Sequence, residues 1–115
     1  MLPRASRLNT SGDFRSTIRR GVRVGRPTLV LHVGPSAGDG VRVGMVVSRA
    51  VGNAVTRNRV KRRLRHLART QLERTPAGTD VVVRALPPAS APGDNLASDL
   101  DSAWTAGLRK LGARS

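Results

Sequence analysis

The sequence contains no cysteine and no tyrosine, and its aromatic residues are one phenylalanine, Phe14, and one tryptophan, Trp104. Without cysteine there is no disulfide framework, no thiolate metal site and no thiol nucleophile. Acidic residues are scarce: seven Asp and Glu are scattered along the chain, and no two stand at a spacing that suggests a metal site or a catalytic carboxylate pair. No apolar run approaches the ~20 residues needed to cross a bilayer. The opening Met-Leu-Pro-Arg-Ala-Ser-Arg lacks the apolar centre of a secretory signal. A cytoplasmic location with no membrane partner is therefore expected. No serine sits in a nucleophile elbow, and Gly12, Gly21, Gly25 and Gly34 form no Walker or dinucleotide loop. Self-sufficient catalysis has no constellation to support it.

What the chain does have is positive charge. Its 115 residues carry 21 Lys and Arg and a formal net charge of +14. The length suits a single domain spanning residues 1–115, with 1–8 and 112–115 expected to be flexible. The charge is uneven. Residues 1–74 hold 17 basic side chains against Asp13, Asp39 and Glu73, whereas residues 75–115 are balanced at four of each sign. Such a field attracts polyanions and makes their binding steeply dependent on salt. Nineteen of the basic residues are arginine, whose planar fork of donors suits phosphate and whose plane stacks on bases. Codon bias accounts for arginine over lysine, but not for so large a surplus of one sign.

Along the chain, Thr10-Ser11-Gly12-Asp13 offers capping side chains for a short helix. Phe14 and Ile18 share one face of that helix, and Gly21 stops it. Val22-Arg23-Val24 reads as a brief strand. Thr28 to Val33 is a β-branched apolar run and a second strand. Gly34 to Gly40 is a turn. Val41 to Ser48 alternates as a third strand, with Val41, Val43, Met45 and Val47 on one face. A basic helix follows from Asn53 to about Glu73. After Pro76-Ala77-Gly78 comes a buried strand, Asp80 to Ala85, then a rigid proline connector, Pro87 to Gly93. Asp94 caps a last helix with Leu96, Leu100, Trp104, Leu108 and Leu111 on one face. Trp104 reads as a core anchor rather than a stacking platform. The fold class is α+β: a single-domain sandwich, order α-β-β-β-α-β-α, with helices on a mixed four-stranded sheet.

The basic helix is the most informative segment. At 100° per residue, Asn58, Arg62, Arg65 and Arg69 fall within about 60° of one another, opposite Val60, Leu64 and Leu67. Arg59, Lys61, Arg63 and His66 flank that stripe. Like charges at these spacings repel by a few tenths of a kcal/mol per pair unless an anion covers them. A nucleic-acid surface therefore fits better than a solvated face. Which nucleic acid remains open at this point. A basic helix suits the DNA major groove, though no helix-turn-helix pair, zinc ligand set or heptad accompanies it. Phe14 and His32 could stack on unpaired RNA bases. His32, in a strand, and His66, on a charged helix face, read as bystanders or RNA contacts rather than catalytic bases.

The run Val43-Gly44-Met45-Val46-Val47-Ser48-Arg49-Ala50-Val51-Gly52-Asn53-Ala54-Val55-Thr56-Arg57-Asn58-Arg59-Val60-Lys61-Arg62-Arg63-Leu64-Arg65 closely resembles the signature of the bacterial ribonuclease P protein subunit. Its core is Gly52-Asn53-Ala54-Val55 followed by Arg57-Asn58-Arg59 and Lys61-Arg62. Arg7-Leu8, Asp13-Phe14, Asp80-Val81-Val82-Val83 and the closing leucine-rich helix extend the likeness over nearly the whole chain. The resemblance implies a left-handed βαβ crossover around the basic helix, an exception to the usual hand. It implies a partner, the catalytic RNA of ribonuclease P, and a substrate, precursor tRNA, whose 5′ leader is removed by the RNA with Mg2+ bound mainly by that RNA. No obligate protein partner is implied. By position, Asn53, Arg57, Asn58, Arg59, Lys61, Arg62, Arg65 and Arg69 would face the catalytic RNA. Phe14, Ile18, His32, Val46, Ser48 and Arg49 would line a cleft for the single-stranded leader. Two positions depart from the family: Ile18 and His32 stand where an aromatic is frequent, so this cleft should rely more on backbone charge and less on stacking. The alternatives are a ribosomal or rRNA-binding structural protein of similar fold, a non-specific DNA-binding protein and a stand-alone nuclease.

Overall fold

In the computed structural model, which describes residues 11–36, 38–93 and 95–113, the β-branched runs become strands and the 3.6-periodic runs become helices. The elements in chain order are α1 (Ser11–Arg20), β1 (Val22–Gly25), β2 (Leu29–Pro35), β3 (Val41–Val46), α2 (Ala54–Arg69), β4 (Thr79–Ala85) and α3 (Asn95–Ala113). Short 3-10 turns at Leu72–Arg74 and Pro87–Ser90 flank β4. The expected α-β-β-β-α-β-α order is the observed one.

The four strands form one sheet in the order β1-β2-β4-β3. β1 and β2 pair antiparallel, as do β2 and β4, while β3 and β4 run parallel. The sheet is therefore mixed, and α2 is the crossover that a parallel pair requires. β4, the last strand made, fills the slot between β2 and β3.

Alternation along the strands divides the sheet into two faces. Leu29, Leu31, Val33, Val43, Met45, Val81, Val83 and Ala85 turn to one side. There they pack with Val60, Leu64 and Ala68 of α2 and with Leu96, Leu100, Ala103 and Trp104 of α3. Trp104 is the core anchor the sequence suggested, fully buried, and its indole N–H donates to Thr75 Oγ1 at 2.8 Å. That bond satisfies the one polar atom this large side chain brings into the core. α3 is also fixed to the sheet by Asp99, whose carboxylate accepts from the Thr28 amide at 3.1 Å and from its hydroxyl at 2.6 Å. The other face carries Val30, His32, Val82 and Arg84, and α1 packs there across β2 and β4. At the α1–β1 junction Gly21 is obligatory: a Cβ there would lie 2.5 Å from the carbonyl oxygens of Thr17 and Val33.

Some boundaries differ from expectation. α2 ends at Arg69 rather than near Glu73, because Gln71 turns inward to donate to Asp101 at 3.1 Å while Arg74 reaches Thr105 and the Asp101 carbonyl. Two side-chain anchors thus outcompete continuation of the helical ladder. β3 ends at Val46, and the chain from Ser48 to Gly52 folds into turns closed by Val51 N–H to Ser48 O and Gly52 N–H to Arg49 O. Gly112 and Ala113, expected to be flexible, continue α3. The remaining expected flexible ends, the capping roles of Thr10 and Asp94 and the side chains of Ser11 and Asp13 lie outside the described residues.

Candidate nucleic-acid interface

α2 begins at a local device written in the sequence. Gly52 holds φ +156°, and a Cβ there would meet Thr56 Cγ2 at 2.8 Å. The next residue, Asn53, is the N-cap: its side-chain oxygen accepts from the Thr56 amide at 2.9 Å. That bond satisfies one of the free amides of the first turn. Asn53 therefore has a structural task beside any contact with RNA. Once started, the helix buries Val60, Leu64 and Ala68, and the residues on the opposite side follow by geometry. Asn58, Arg62 and Arg69 are exposed and Arg65 half-exposed. Among the described residues, none of the four makes an ion pair or a side-chain hydrogen bond; the ion pairs are Arg42–Asp80 and Arg74–Asp101.

The flanking basic residues divide. Arg59 donates to Ser90 O at 3.3 Å and Arg63 to Gly93 O at 2.9 Å, so both tie α2 to the proline connector. With Val60 and Ala89 to Pro92 they border a groove of about 450 Å³. Lys61 is half-buried. Arg57 is half-buried too, and its Nε is enclosed without a hydrogen-bond partner. Val55 is an apolar side chain 77% exposed at the start of the helix. Its position about 60° from Asn58 on the helical wheel places it beside the arginine stripe, a signal the sequence carried and the core-directed pattern overlooked.

The second group of candidate residues is spread over three elements. His32 and Val46 lie on the sheet face that α1 crosses, His32 buried and Val46 half-buried. Phe14 is half-buried on α1, and Ile18 is 41% exposed. Ser48 and Arg49 follow Val46 in the chain and stand exposed beyond the end of β3, between it and Asn53. His32 Nδ1 is buried with no hydrogen-bond partner. Burial, and then the charges of Arg23 and Arg84, hold this imidazole below the usual histidine value of 6.5. It is therefore neutral near pH 7.

Arg23 and Arg84 escaped the sequence reading. Arg23 is an exposed position of β1 and Arg84 the exposed position of β4, and β1 pairing brings Arg23 directly opposite His32. Further along the same face Arg42 and Asp80 form a two-pronged pair, Nε to Oδ1 at 3.0 Å and Nη2 to Oδ2 at 2.8 Å. Among the described residues, no three His, Cys, Asp or Glu side chains stand together as metal ligands, and no helix is long and apolar enough to cross a membrane.

Comparison with known proteins gives this geometry its context. A sequence profile of the family described as Ribonuclease P matches residues 2–107. The ribonuclease P protein component of Kocuria rhizophila is 53% identical over 111 residues, covering 96% of this chain and 98% of that relative. The same component from a Nocardioides species is 58% identical over 105 residues, covering 88% and 90%. Among solved structures, the RNase P protein of Staphylococcus aureus superposes with a TM-score of 0.73 at 25% identity, covering 92% and 94%. That of Thermotoga maritima gives 0.61 at 27%, covering 93% of each chain.

Proposed function

The chain belongs to the ribonuclease P protein family, a family of RNA-binding components of a tRNA-processing ribonucleoprotein, and from that membership we propose how its surfaces are used. The outward stripe of α2 grips the catalytic RNA, and the sheet face beneath α1 takes the single-stranded 5′ leader of precursor tRNA. The single observation that carries this reading is the unpaired row Asn58, Arg62, Arg65 and Arg69, held outward by a helix whose other side is core. A rigid row of guanidinium groups without protein acids to neutralise it is matched to a chain of phosphates. The enclosed Nε of Arg57 and Nδ1 of His32, one on each surface, are polar atoms that folding leaves unsatisfied and a bound RNA could serve.

The role is physical rather than chemical. In this reading the RNA and its Mg2+ carry out the cleavage. The protein neutralises phosphates where leader, tRNA and catalytic RNA converge, which lowers the Mg2+ needed to hold them together. Reconstitution tests it. Catalytic RNA with this protein should remove leaders from precursor tRNA at a magnesium concentration where the RNA alone is slow. Equal rates with and without protein at every magnesium concentration would reject the proposal. Pure protein with precursor tRNA and magnesium, free of RNA, should cleave nothing.

A further inference from the structure

Three basic groups lie side by side on the sheet face that α1 crosses. Arg23 of β1 stands opposite His32 of β2. Arg84 of β4 pairs with Val30, one same-face step along from Val82, which faces His32. Opposed side chains of this kind have Cβ atoms about 5 Å apart and diagonal ones about 7–8 Å, well within the reach of two arginines. Both guanidinium groups are exposed, and among the described residues neither has a hydrogen bond or an ion pair. His32 lies between them, 5% exposed, with Nδ1 unpartnered.

Among the described side chains, no acid balances this trio. Asp80, the carboxylate of β4 on the same face, is engaged by both donors of Arg42. β3 presents Gly44 and Val46 at this level, neither titratable. From α1, Arg15, Arg19 and Arg20 border a separate surface cavity with Gly12 and Ser16, and the Asp13 side chain lies outside the described residues. The arrangement is a cluster of like charge around a buried neutral ring, which is costly unless an anion joins it.

Resting on the leader-binding reading of the same face, we propose that Arg23, His32 and Arg84 form a subsite for one phosphate of a single-stranded polynucleotide, and that His32 takes up a proton from solvent as the phosphate seats. The phosphate offsets the two arginine charges and adds its own attraction for an imidazolium. Linkage is reciprocal, so protonation of His32 tightens the phosphate. Only an N–H bond forms; no covalent change of the RNA is involved.

The chain has just two histidines, so their ring C–H signals in NMR are separable. The full-length protein is titrated over roughly pH 5 to 8, the histidine range, with and without a single-stranded RNA hexamer. The free protein should show a His32 midpoint below 6.5. The hexamer should raise it by roughly half a unit or more. Arg23→Ala and Arg84→Ala should each raise the midpoint of the free protein, shrink the hexamer-induced rise and weaken hexamer binding about threefold or more. Hexamer binding that leaves the His32 midpoint unmoved overturns this inference and spares the leader reading, as does a rise that persists undiminished in both arginine variants. If no hexamer binds, and reconstituted holoenzyme binds precursor and leaderless tRNA equally, the leader reading falls and this subsite falls with it.

Discussion

At the scale of single residues, His32 and Asn53 each make a measurable demand on stability. The His32 imidazole titrates lower in the folded chain than its usual 6.5. Between those two values the unfolded chain holds more protons, so stability rises with pH across that window and is lost as pH falls below 6.5. Denaturant unfolding at two pH values, one on each side of that window, should show the wild type losing more stability toward acid than His32→Phe. Equal losses would mean that His32 is not held neutral by its surroundings. Asn53→Ala should cost about 1 kcal/mol through the lost cap, whereas Asn53→Asp keeps a capping oxygen. In the proposed interface Asn53→Asp should fold as well as wild type yet bind the catalytic RNA more weakly, because a carboxylate then faces phosphate. The importance of Asn53 was legible from its place in the Gly52-Asn53-Ala54-Val55 signature; its capping bond was not. The neutrality of His32 was not legible at all. It depends first on burial, then on Arg23 and on Arg84, far along the chain, and so on which strand lies beside which.

At the scale of elements, α2 was the most readable part of the molecule and its ends the least. Helical periodicity alone separated Val60 and Leu64 from Asn58 and Arg62, and the folded helix keeps that division. The double variant Arg62→Ala with Arg65→Ala should therefore leave the circular dichroism spectrum unchanged. It should also lower the salt slope of assembly with the catalytic RNA by about 1.4 to 2, one increment per lost phosphate contact. A double variant that unfolds would show that these side chains support the core. Leu64→Ala, by contrast, should cost about 2–5 kcal/mol, as truncations of fully buried leucines do. The early end of α2 was hidden because its cause is tertiary: Gln71 and Arg74 are drawn to Asp101 and Thr105 of α3, and no local pattern announces partners so distant. The same holds for Arg59 and Arg63. Arg59 reads as an RNA contact and Arg63 only as a flank of the stripe; each also lends a guanidinium N–H to the connector, at Ser90 and Gly93.

At the scale of the whole molecule, strand order decides which side chains become neighbours. Alternation told which residues of each strand share a face, but not that β4 separates β2 from β3; Arg23, His32 and Arg84 could not be assembled without that order. If roughly six side chains of the interface meet phosphates of a single strand, leader affinity should fall with log salt at a slope of about four. A slope near zero, measured as the difference between precursor and leaderless tRNA, would remove the sheet face from the interface. The central place of β4 also governs biosynthesis. While a ribosome is still extending the chain short of Ala85, β2 and β3 have no common neighbour to zip onto, and the arginine-laden first two thirds emerge with β4 and α3 still to come. Expression of a fragment stopped at Pro76 should yield a proteolytically fragile polypeptide, because the keystone strand arrives last.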